Sequence, residues 1–524
     1  MDTFAKDRLP PQELWPRLHF DLPELQYPAK LNCGVVLLDD AVAEGHGDRP
    51  AILTDAGTIT YRELLARANR IANVLTAAGV MPGNRVLLRG FNGPEIYAAW
   101  LAVMKAGAIA VTTMPMLRAP ELTAVIGKSK PALALSDHRL LGELAGVAEA
   151  GGVGAVIAWG NGDLEGRIAR ASDRFVNADT ASEDVCLLAF TSGTTGQPKA
   201  CMHFHRDVLA MADVVARHLL KTAPDDVYAG SPPLGFTFGL GALLVFPLRF
   251  RAATVPIEAP APAAVLAAIE KHRVTCLFTA PFAYRALAAE LAGRDLSSLK
   301  RCVSAGEFLP RSVSDTWFEK TGIRIIDGIG ATEMIHIFIS AAGDDIRPGS
   351  TGKPLPGYNA CLLDDDGEQM LPGATGRLAV TGPTGCRYLD DERQRDYVHD
   401  GWNVTGDLYR LDEDGYFWFV ARADDMIVSA GYNIAGPEVE WALLAHPAVR
   451  ECAVIGTSDP ERGTIVKACI VLAPGRAGDI ALIKELQDFV KHRIAPYKYP
   501  RVIEFLEALP KTATGKLQRK ALRG

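Results

Sequence analysis

The stretch that decides the fold is Thr191-Ser192-Gly193-Thr194-Thr195-Gly196-Gln197-Pro198-Lys199. It follows an apolar run over residues 185–190, which predicts a buried strand. Glycines let several backbone N–H groups turn toward one point and bind an anion, while hydroxyls add donors and Lys199 adds positive charge. The stretch therefore predicts a loop that cradles a polyphosphate, the alternative being a polar turn. It is not a Walker A loop, because Pro198 stands before the lysine and no Gly-Lys-Ser/Thr opens a helix.

Length and composition limit the class of protein. A chain of 524 residues allows several domains or one large multi-lobed domain, and 48% hydrophobic with 22% charged residues is typical of a soluble globular protein. The net charge of −7 and the lack of a basic block argue against nucleic-acid binding. The 9 cysteines include no Cys-x-x-Cys pair, which favours a reducing, cytoplasmic location over a disulfide framework or zinc site. We expect no signal peptide and no membrane span.

The order of sequence patterns predicts the fold class. Residues 1–30 contain five prolines and predict an irregular arm. Strand-like and helix-like patterns then alternate over residues 58–112 and again over 207–327, which predicts an α/β fold with a parallel, helix-covered sheet. From about residue 350, frequent glycines and prolines separate short strand-like runs and predict antiparallel structure.

A second cluster of functional residue types follows a predicted strand at residues 324–327. Gly328 and Gly330 allow close backbone approach to a flat ligand. Thr332 offers a hydroxyl donor, and Glu333 offers a hard carboxylate oxygen of the kind that Mg²⁺ binds together with phosphates. Taken alone, this segment is equally compatible with a structural turn.

Read together, these segments resemble the adenylate-forming superfamily, which includes acyl- and aryl-CoA ligases, carrier-loading adenylation domains and luciferases. The resemblance runs from about Tyr61 to the C-terminus. It implies an α/β plus β-barrel fold: a large N-terminal domain of two α/β lobes and a small β-barrel, followed by a small, mobile α+β C-terminal domain. We expect the N-terminal arm at 1–30, the AMP-binding adenylation domain at 31–423 and the C-terminal domain at 424–524.

The resemblance also implies roles for individual residues. Lys516, Thr332 and Glu333 would be catalytic, with Glu333 holding Mg²⁺; Asp424 would be the hinge, and Gly431 would line the tunnel that admits CoA. ATP and AMP would be bound by Thr191, Ser192, Gly193, Thr194, Thr195, Gly196, Lys199, Ala305, Gly306, Glu307, Asp327, Gly328, Ile329, Gly330, Thr332, Asp407, Arg422 and Lys516.

The acid pocket is similar to that of benzoate-type CoA ligases, and most of all to the 2-aminobenzoate (anthranilate) type. Its expected residues are Phe238, Ala283, Tyr284, Gly330, His336 and Ile337. Ala283 stands where many aliphatic ligases carry a bulky residue, and Phe238 replaces an expected tyrosine. His336 either meets a ring substituent or is a packed core histidine. For His205 we weigh contact with the acyl side against an exposed position.

The predicted activity is that of an ATP- and Mg²⁺-dependent aryl-CoA ligase. Its expected partners are a small aromatic acid, ATP and CoA, and the chain would act as a monomer or homodimer. One rival is a stand-alone adenylation enzyme that loads a carrier protein. Two others are a kinase or hydrolase, which would release ADP, and a nucleotide sensor, for which Lys516 would be dispensable.

Overall fold

Strands and helices alternate through most of the chain in the computed structural model of the protein. The structure describes residues 1–148, 152–191, 198–429, 432–459, 463–494, 496–512 and 516–523. The strands are β1 Pro50–Thr54, β2 Gly57–Thr60, β3 Arg85–Arg89, β4 Ile109–Thr113, β5 Leu133–Asp137, β6 Val156–Trp159, β7 Val185–Thr191, β8 Lys199–Phe204, β9 Val227–Gly230, β10 Ala253–Val255, β11 Cys276–Thr279, β12 Arg301–Ser304, β13 Ile325–Gly330, β14 Ile337–Ser340, β15 Lys353–Pro354, β16 Asn359–Leu363, β17 Thr375–Thr381, β18 Val398–His399, β19 Trp402–Leu411, β20 Phe417–Arg422, β21 Ile427–Ser429, β22 Tyr432–Ile434, β23 Val449–Asp459, β24 Gly463–Leu472 and β25 Val502–Phe505.

The helices connect most of these strands. They are α1 Tyr61–Ala77, α2 Pro94–Lys105, α3 Ala119–Ser129, α4 Leu141–Val147, α5 Asp163–Ile168, α6 His205–Met211, α7 Thr237–Leu240, α8 Phe246–Arg249, α9 Pro262–His272, α10 Pro281–Ala289, α11 Arg311–Thr321, α12 Gln394–Tyr397, α13 Gly436–Leu444, α14 Ile480–Arg493 and α15 Arg519–Leu522. A π-helical segment, Ala212–Leu219, continues α6. Among the described residues, no helix combines the length and the apolar character needed to cross a membrane.

Two largely parallel sheets form the N-terminal part, as predicted. One has the order β15-β14-β13-β12-β11-β9-β10-β1-β2, and the other has the order β6-β5-β3-β4-β7-β8. Antiparallel pairing occurs at their edges, where β2, β8, β14 and β15 lie. The apolar strands are buried on both faces because helices cover the sheets.

Helix α1 illustrates how the sequence sets local structure here. Thr60 accepts a hydrogen bond from the backbone of Glu63, whose carboxylate accepts one from the backbone of Thr60, which completes a capping box. Leu64, Ile71 and Leu75 recur at helical spacing, and all three are buried. The helix therefore packs its apolar stripe inward and leaves charged residues to solvent.

The antiparallel region predicted after residue 350 is a five-stranded sheet of β16 to β20. The smaller C-terminal part combines the sheet β23-β24-β25 with α13 and α14 around a core of its own. The chain leaves the five-stranded sheet at Arg422, and Ile427 already belongs to the C-terminal core. The large N-terminal α/β domain and the smaller C-terminal domain are thus confirmed, whereas closure of the β16–β20 sheet into a barrel stays a prediction.

The first thirty residues pack against several parts of the large domain, including the segment after β17. Their irregular path contains short 3₁₀ turns, such as Pro23–Leu25, in which Leu25 is buried. The Asp2 carboxylate pairs with Arg85, and Leu18 bridges to Gly382. The arm therefore contributes to the stability of the large domain.

A fully buried ion pair joins α6 to the segment beside β8. The Arg387 guanidinium donates to Asp207 over 2.9 Å, and neither side chain is exposed. Arg387 also lies over the Phe204 ring, 4.0 Å from its centroid. Removing one partner of such a pair leaves an uncompensated charge in the interior.

We predict that Arg387→Met lowers the free energy of unfolding by about 3–5 kcal/mol, because Asp207 is then buried without its counter-charge. Urea denaturation measures the loss. Arg62→Met is the matched control, since the Arg62–Asp48 pair is 61% and 88% exposed and contributes about 1 kcal/mol or less. Equal losses in the two variants would contradict this account of Arg387.

Candidate active site

Loops that follow parallel strands meet at one edge of the large sheet. Strands β11, β12 and β13 pair in parallel, so the segments after β12 and β13 leave the sheet in the same direction. These segments are residues 305–307 and 331–333, both predicted from sequence as nucleotide contacts. Crevices at the carboxyl ends of parallel strands are the usual ligand sites of open α/β sheets.

The predicted phosphate loop connects β7 to β8. Thr191 and Lys199 pair across this antiparallel hairpin. Ser192, Gly193, Thr194, Thr195 and Gly196 lie outside the described residues, so their predicted contacts with phosphate stay predictions. The hairpin nevertheless fixes both ends of the loop at the same edge of the six-stranded sheet.

Lys516, in the C-terminal domain, lies close to the segment after β12 in the nine-stranded sheet. A Cβ built on Gly306 would lie 3.9 Å from Lys516 Cε, and Lys516 Nζ is 5.8 Å from the centroid of the Phe236 ring. Although the side chain retains solvent exposure, protein atoms crowd its ammonium and lower its pKa, while the nearby Glu307 carboxylate opposes that shift. The structure thus places a lysine from the far end of the chain against the loop after β12.

The Thr332–Glu333 pair forms a tight turn after β13. The Thr332 carbonyl accepts a hydrogen bond from His203 Nε2 over 2.8 Å, and the Glu333 side chain is buried. Ile335, two residues further, has φ of 62°, a backbone region that a β-branched residue rarely adopts. Such strain persists only where the surrounding contacts hold it, and here it accompanies the turn that presents Thr332 and Glu333.

Tyr388 connects Lys199, at the start of β8, with Glu333, in the turn after β13. Its hydroxyl donates to Glu333 Oε1 over 2.5 Å and accepts from Lys199 Nζ over 3.0 Å. Sequence reasoning missed Tyr388 because it is separated by 189 residues from Lys199 and by 55 from Glu333. A lone tyrosine in a turn-rich segment carries no spacing signal that would identify it.

Asp407 and Arg422 face each other across the β19–β20 pair. They are partners in the strand register, and Arg422 Nη1 lies 3.1 Å from Asp407 Oδ1. A Cβ on Gly406 would come within 2.5 Å of the Arg422 guanidinium, so a larger residue there would displace the end of the Arg422 side chain. Two of the predicted nucleotide contacts are therefore adjacent to one another.

Two acids at the sheet edge hold their protons more tightly than usual. Burial raises the pKa of Asp327 to about 8. Burial also raises the pKa of Glu307, and the positive charge of Lys516 opposes that shift. Both carboxyl groups are therefore easier to keep neutral beside an anionic ligand.

His336, the residue before β14, lies in an aromatic cluster. It is 3% exposed, and its ring centroid is 5.5 Å from that of Phe238 and 4.6 Å from that of Phe246. Nε2 is 3.4 Å from the Phe238 carbonyl oxygen, while Nδ1 is buried and has no hydrogen-bond partner among the described residues. Burial lowers the pKa of His336 to about 3, so the imidazole is neutral near pH 7.

The remaining predicted pocket residues differ in how exposed they are. Ala283 on α10 is half-buried, and Gly330 is exposed beside the His336 backbone. Ile337 is buried against Gly328. The prediction for Tyr284 is wrong: one step along α10 turns its side chain into the core, where its hydroxyl donates to the carbonyls of residues 277 and 303 and its ring meets Trp317.

His205 is also a correction. It is buried, and its Nδ1 lies 3.1 Å from Cys33 Sγ and accepts from the Cys33 backbone. Both alternatives considered from sequence, contact with the acid and an exposed position, are therefore wrong, because α6 begins inside the core. Gly431 lies outside the described residues, as does the side chain of Asp424, so the tunnel and hinge stay predictions.

Glu333 offers the kind of ligand that a hard cation such as Mg²⁺ prefers, a carboxylate oxygen. One carboxylate oxygen is oriented by Tyr388, and within the described ranges no donor bonds to the other. A single buried carboxylate beside a phosphate-binding loop is the usual protein contribution to a Mg²⁺ site, since the cation keeps waters and substrate phosphates as its other ligands.

Comparisons with known proteins show what this chain is similar to. The AMP-binding enzyme family matches residues 39–387, and the AMP-binding enzyme C-terminal domain matches residues 438–516. The benzoate–CoA ligase of Thauera aromatica is 36% identical over 96% of this chain and 97% of its own length. The anthranilate CoA ligase AuaEII, solved with anthranoyl-AMP, has a TM-score of 0.91 at 34% identity and covers 96% of this chain and 98% of its own. A benzoate CoA ligase from Burkholderia xenovorans LB400 has a TM-score of 0.86 at 31% identity, with 94% and 100% coverage.

The lowered pKa of His336 predicts a pH dependence of stability. Below about pH 6.5 the unfolded chain binds a proton at this imidazole that the folded chain does not, so stability falls as the pH falls toward 3. His336→Asn should remove up to about 1.4 kcal/mol of this loss per pH unit. Urea unfolding between pH 7.5 and pH 4.5 measures the slope. The exposed His399→Asn should keep the wild-type slope, and an unchanged slope in His336→Asn would refute the buried neutral state.

Proposed function

The chain belongs to the AMP-binding enzyme family, and on that premise we propose that it is an aryl-CoA ligase whose preferred acid is 2-aminobenzoate. It uses ATP to activate a benzoate-like acid and then transfers the aryl group to CoA. The observation that carries the proposal is the approach of Lys516 to Gly306, beside Glu307 and opposite the Thr332–Glu333 turn.

The chemistry explains why a lysine is needed at this point. A carboxylate is a poor acyl donor, so its oxygen first attacks the α-phosphorus of ATP, which forms an aryl-adenylate and releases pyrophosphate. Two anions must meet in this step, and positioned cations and hydrogen-bond donors stabilise the charge that develops. Lys516 would contact both the carboxylate and the α-phosphate, with Thr332 as a second donor. The thiol of CoA then displaces AMP, a good leaving group.

Magnesium is part of the proposal. When bound, the cation would neutralise charge on the phosphates. Glu333 would hold it through the oxygen that Tyr388 does not use, and Lys199 supplies a second positive charge at the phosphate loop.

The buried histidine supports an amino-substituted ring. With Nε2 directed at the Phe238 carbonyl, Nε2 carries the proton and the neutral Nδ1 is an acceptor. A buried acceptor without a partner is costly, and an N–H from an ortho-amino group would satisfy it. Ala283 leaves space for a flat ring, and Phe238 provides an aromatic face. The anthranoyl-AMP complex of the structural relative agrees with this preference.

The two half-reactions require different surroundings, and we propose that the C-terminal domain rotates between them. The adenylation domain would comprise 31–423 and include a closed β-barrel, and the mobile domain would comprise 424–524 with Asp424 as its hinge. Arg285 donates to the carbonyl of Arg450 across the two domains over 2.9 Å, a contact that rotation would break. Rotation would withdraw Lys516 and bring Gly431 to the thiol path. Such gating is a common way to order two chemical steps.

Loading of a carrier protein is the less favoured alternative, because the relatives are named as CoA ligases. A screen of benzoate, its 2-amino and hydroxy derivatives, cyclohexane carboxylate and short fatty acids tests the proposal through AMP release. We expect AMP and pyrophosphate with ring acids and CoA, and the highest kcat/KM with 2-aminobenzoate. Release of ADP, or turnover with a carrier protein only, would reject the proposal.

We predict that Lys516→Ala slows aryl-adenylate formation by about two to three orders of magnitude, as loss of a transition-state donor does. Thioester formation from preformed aryl-adenylate should be nearly unchanged, because Lys516 would then be withdrawn. Rapid-quench kinetics of each half-reaction measure the two effects. Lys491→Ala, on the surface of α14, is the control and should alter neither; equal loss in both half-reactions of Lys516→Ala would count against its role.

We predict that His336→Leu lowers kcat/KM for 2-aminobenzoate by about 10- to 100-fold, the cost of one unsatisfied buried donor, and changes benzoate little. Steady-state kinetics with both acids provide the ratio. Ala283→Phe is the comparison variant and should lower kcat/KM for both ring acids alike, because the larger side chain would fill the space for the ring. A fall of equal size for benzoate in His336→Leu would assign His336 to packing alone.

A further inference from the structure

The Tyr388 hydroxyl lies between a phosphate-loop lysine and the carboxylate proposed to hold magnesium. The directions of its two hydrogen bonds follow from chemistry. Lys199 has donors only, so its ammonium donates to Tyr388 Oη over 3.0 Å. The phenol proton is therefore directed to Glu333 Oε1, 2.5 Å away. One hydroxyl thus links two side chains that would otherwise attract each other directly.

The backbone holds Tyr388 in this position. The amide of Leu389 donates to Ala200, and the amide of Met202 donates to Arg387, so the segment is paired with β8, the strand that begins at Lys199. The backbone N–H of Tyr388 also donates to Gln394 Oε1 over 2.9 Å. The ring is 1% exposed, so it has no freedom to leave the site.

We propose that Tyr388 is a positioning residue for the magnesium nucleotide. By occupying Oε1, its hydroxyl orients the Glu333 carboxylate so that the other oxygen faces the cation, and by accepting from Lys199 it keeps that ammonium from pairing directly with Glu333. Groups that hydrogen-bond to a metal ligand fix its orientation, and their loss lowers metal affinity about 10- to 100-fold. The inference rests on the proposed function, since it takes Glu333 as the magnesium ligand.

A matched pair of tyrosines allows a sharp test. Tyr397 packs edge-on against Tyr388, with ring centroids 5.9 Å apart, and it is also buried. Its hydroxyl has no hydrogen-bond partner among the described residues. Tyr388→Phe and Tyr397→Phe therefore each remove one buried oxygen from neighbouring rings, but only the first breaks the bridge.

The experiment measures Mn²⁺ binding to the full-length protein in the presence of ATP and without acid, by electron paramagnetic resonance. We expect Tyr388→Phe to raise the Mn²⁺ dissociation constant about 10-fold or more and Tyr397→Phe to leave it unchanged. In steady-state assays the Mg²⁺ and ATP requirements should rise in Tyr388→Phe, while KM for the aromatic acid stays the same. Equal effects in the two phenylalanine variants, or none in Tyr388→Phe, would overturn the inference.

Glu333→Gln separates this inference from the proposed function. If Mn²⁺ binding is not weakened in Glu333→Gln, the assignment of the magnesium ligand fails and the inference fails with it. If Glu333→Gln weakens binding and Tyr388→Phe does not, only the inference fails. In the Glu333→Gln background, Tyr388→Phe should add little further loss, because the hydroxyl acts through the carboxylate. Additive losses, or a Tyr388→Phe chain that does not fold although Tyr397→Phe does, would show a purely structural role.

Discussion

The need to bring a carboxylate against a triphosphate is the constraint on which the rest of the site depends. In the proposed function the chain would meet it with three cations drawn from separate segments: Lys199 after the phosphate loop, Arg422 at the end of β20 and Lys516 near the C-terminus. Each has an acidic neighbour: Glu333 through Tyr388, Asp407 directly, and Glu307. Cations that are in place before the phosphates react need little reorganisation, which is the main advantage of a preformed electrostatic site.

The surroundings of the Thr332–Glu333 turn and of His336 differ in polarity, and in the proposed function this difference would separate nucleotide from acid. The turn carries a buried carboxylate, whereas His336 lies among the rings of Phe238 and Phe246. Burial keeps this imidazole neutral, so the aromatic cluster holds no charge that would compete for phosphate. His203 behaves similarly: burial lowers its pKa to about 4, and it supports the Thr332 turn as a neutral donor.

Local patterns predicted much of the fold. Strand–helix alternation predicted a parallel, helix-covered sheet, and the family resemblance implied that there are two α/β lobes. The glycines of β13 drew attention to Thr332 and Glu333, whose roles came from the same resemblance. Sequence patterns could not predict contacts between distant segments. Tyr388 contacts Lys199 only because the segments that carry them pair, and no residue near Tyr388 in the sequence indicates this pairing. The prediction that Tyr284 lines the pocket is wrong for a related reason. Adjacent residues on a helix point in different directions, and the sequence does not show which one faces the ligand.

The central claim is that an oxygen of the aromatic acid attacks the α-phosphorus of ATP. Benzoate labelled with oxygen-18 in its carboxylate tests this directly when incubated with the protein, ATP and CoA, with the products analysed by mass spectrometry. The account predicts AMP that carries one labelled oxygen and benzoyl-CoA that retains one. Unlabelled AMP, or label in inorganic phosphate accompanied by ADP, would contradict it.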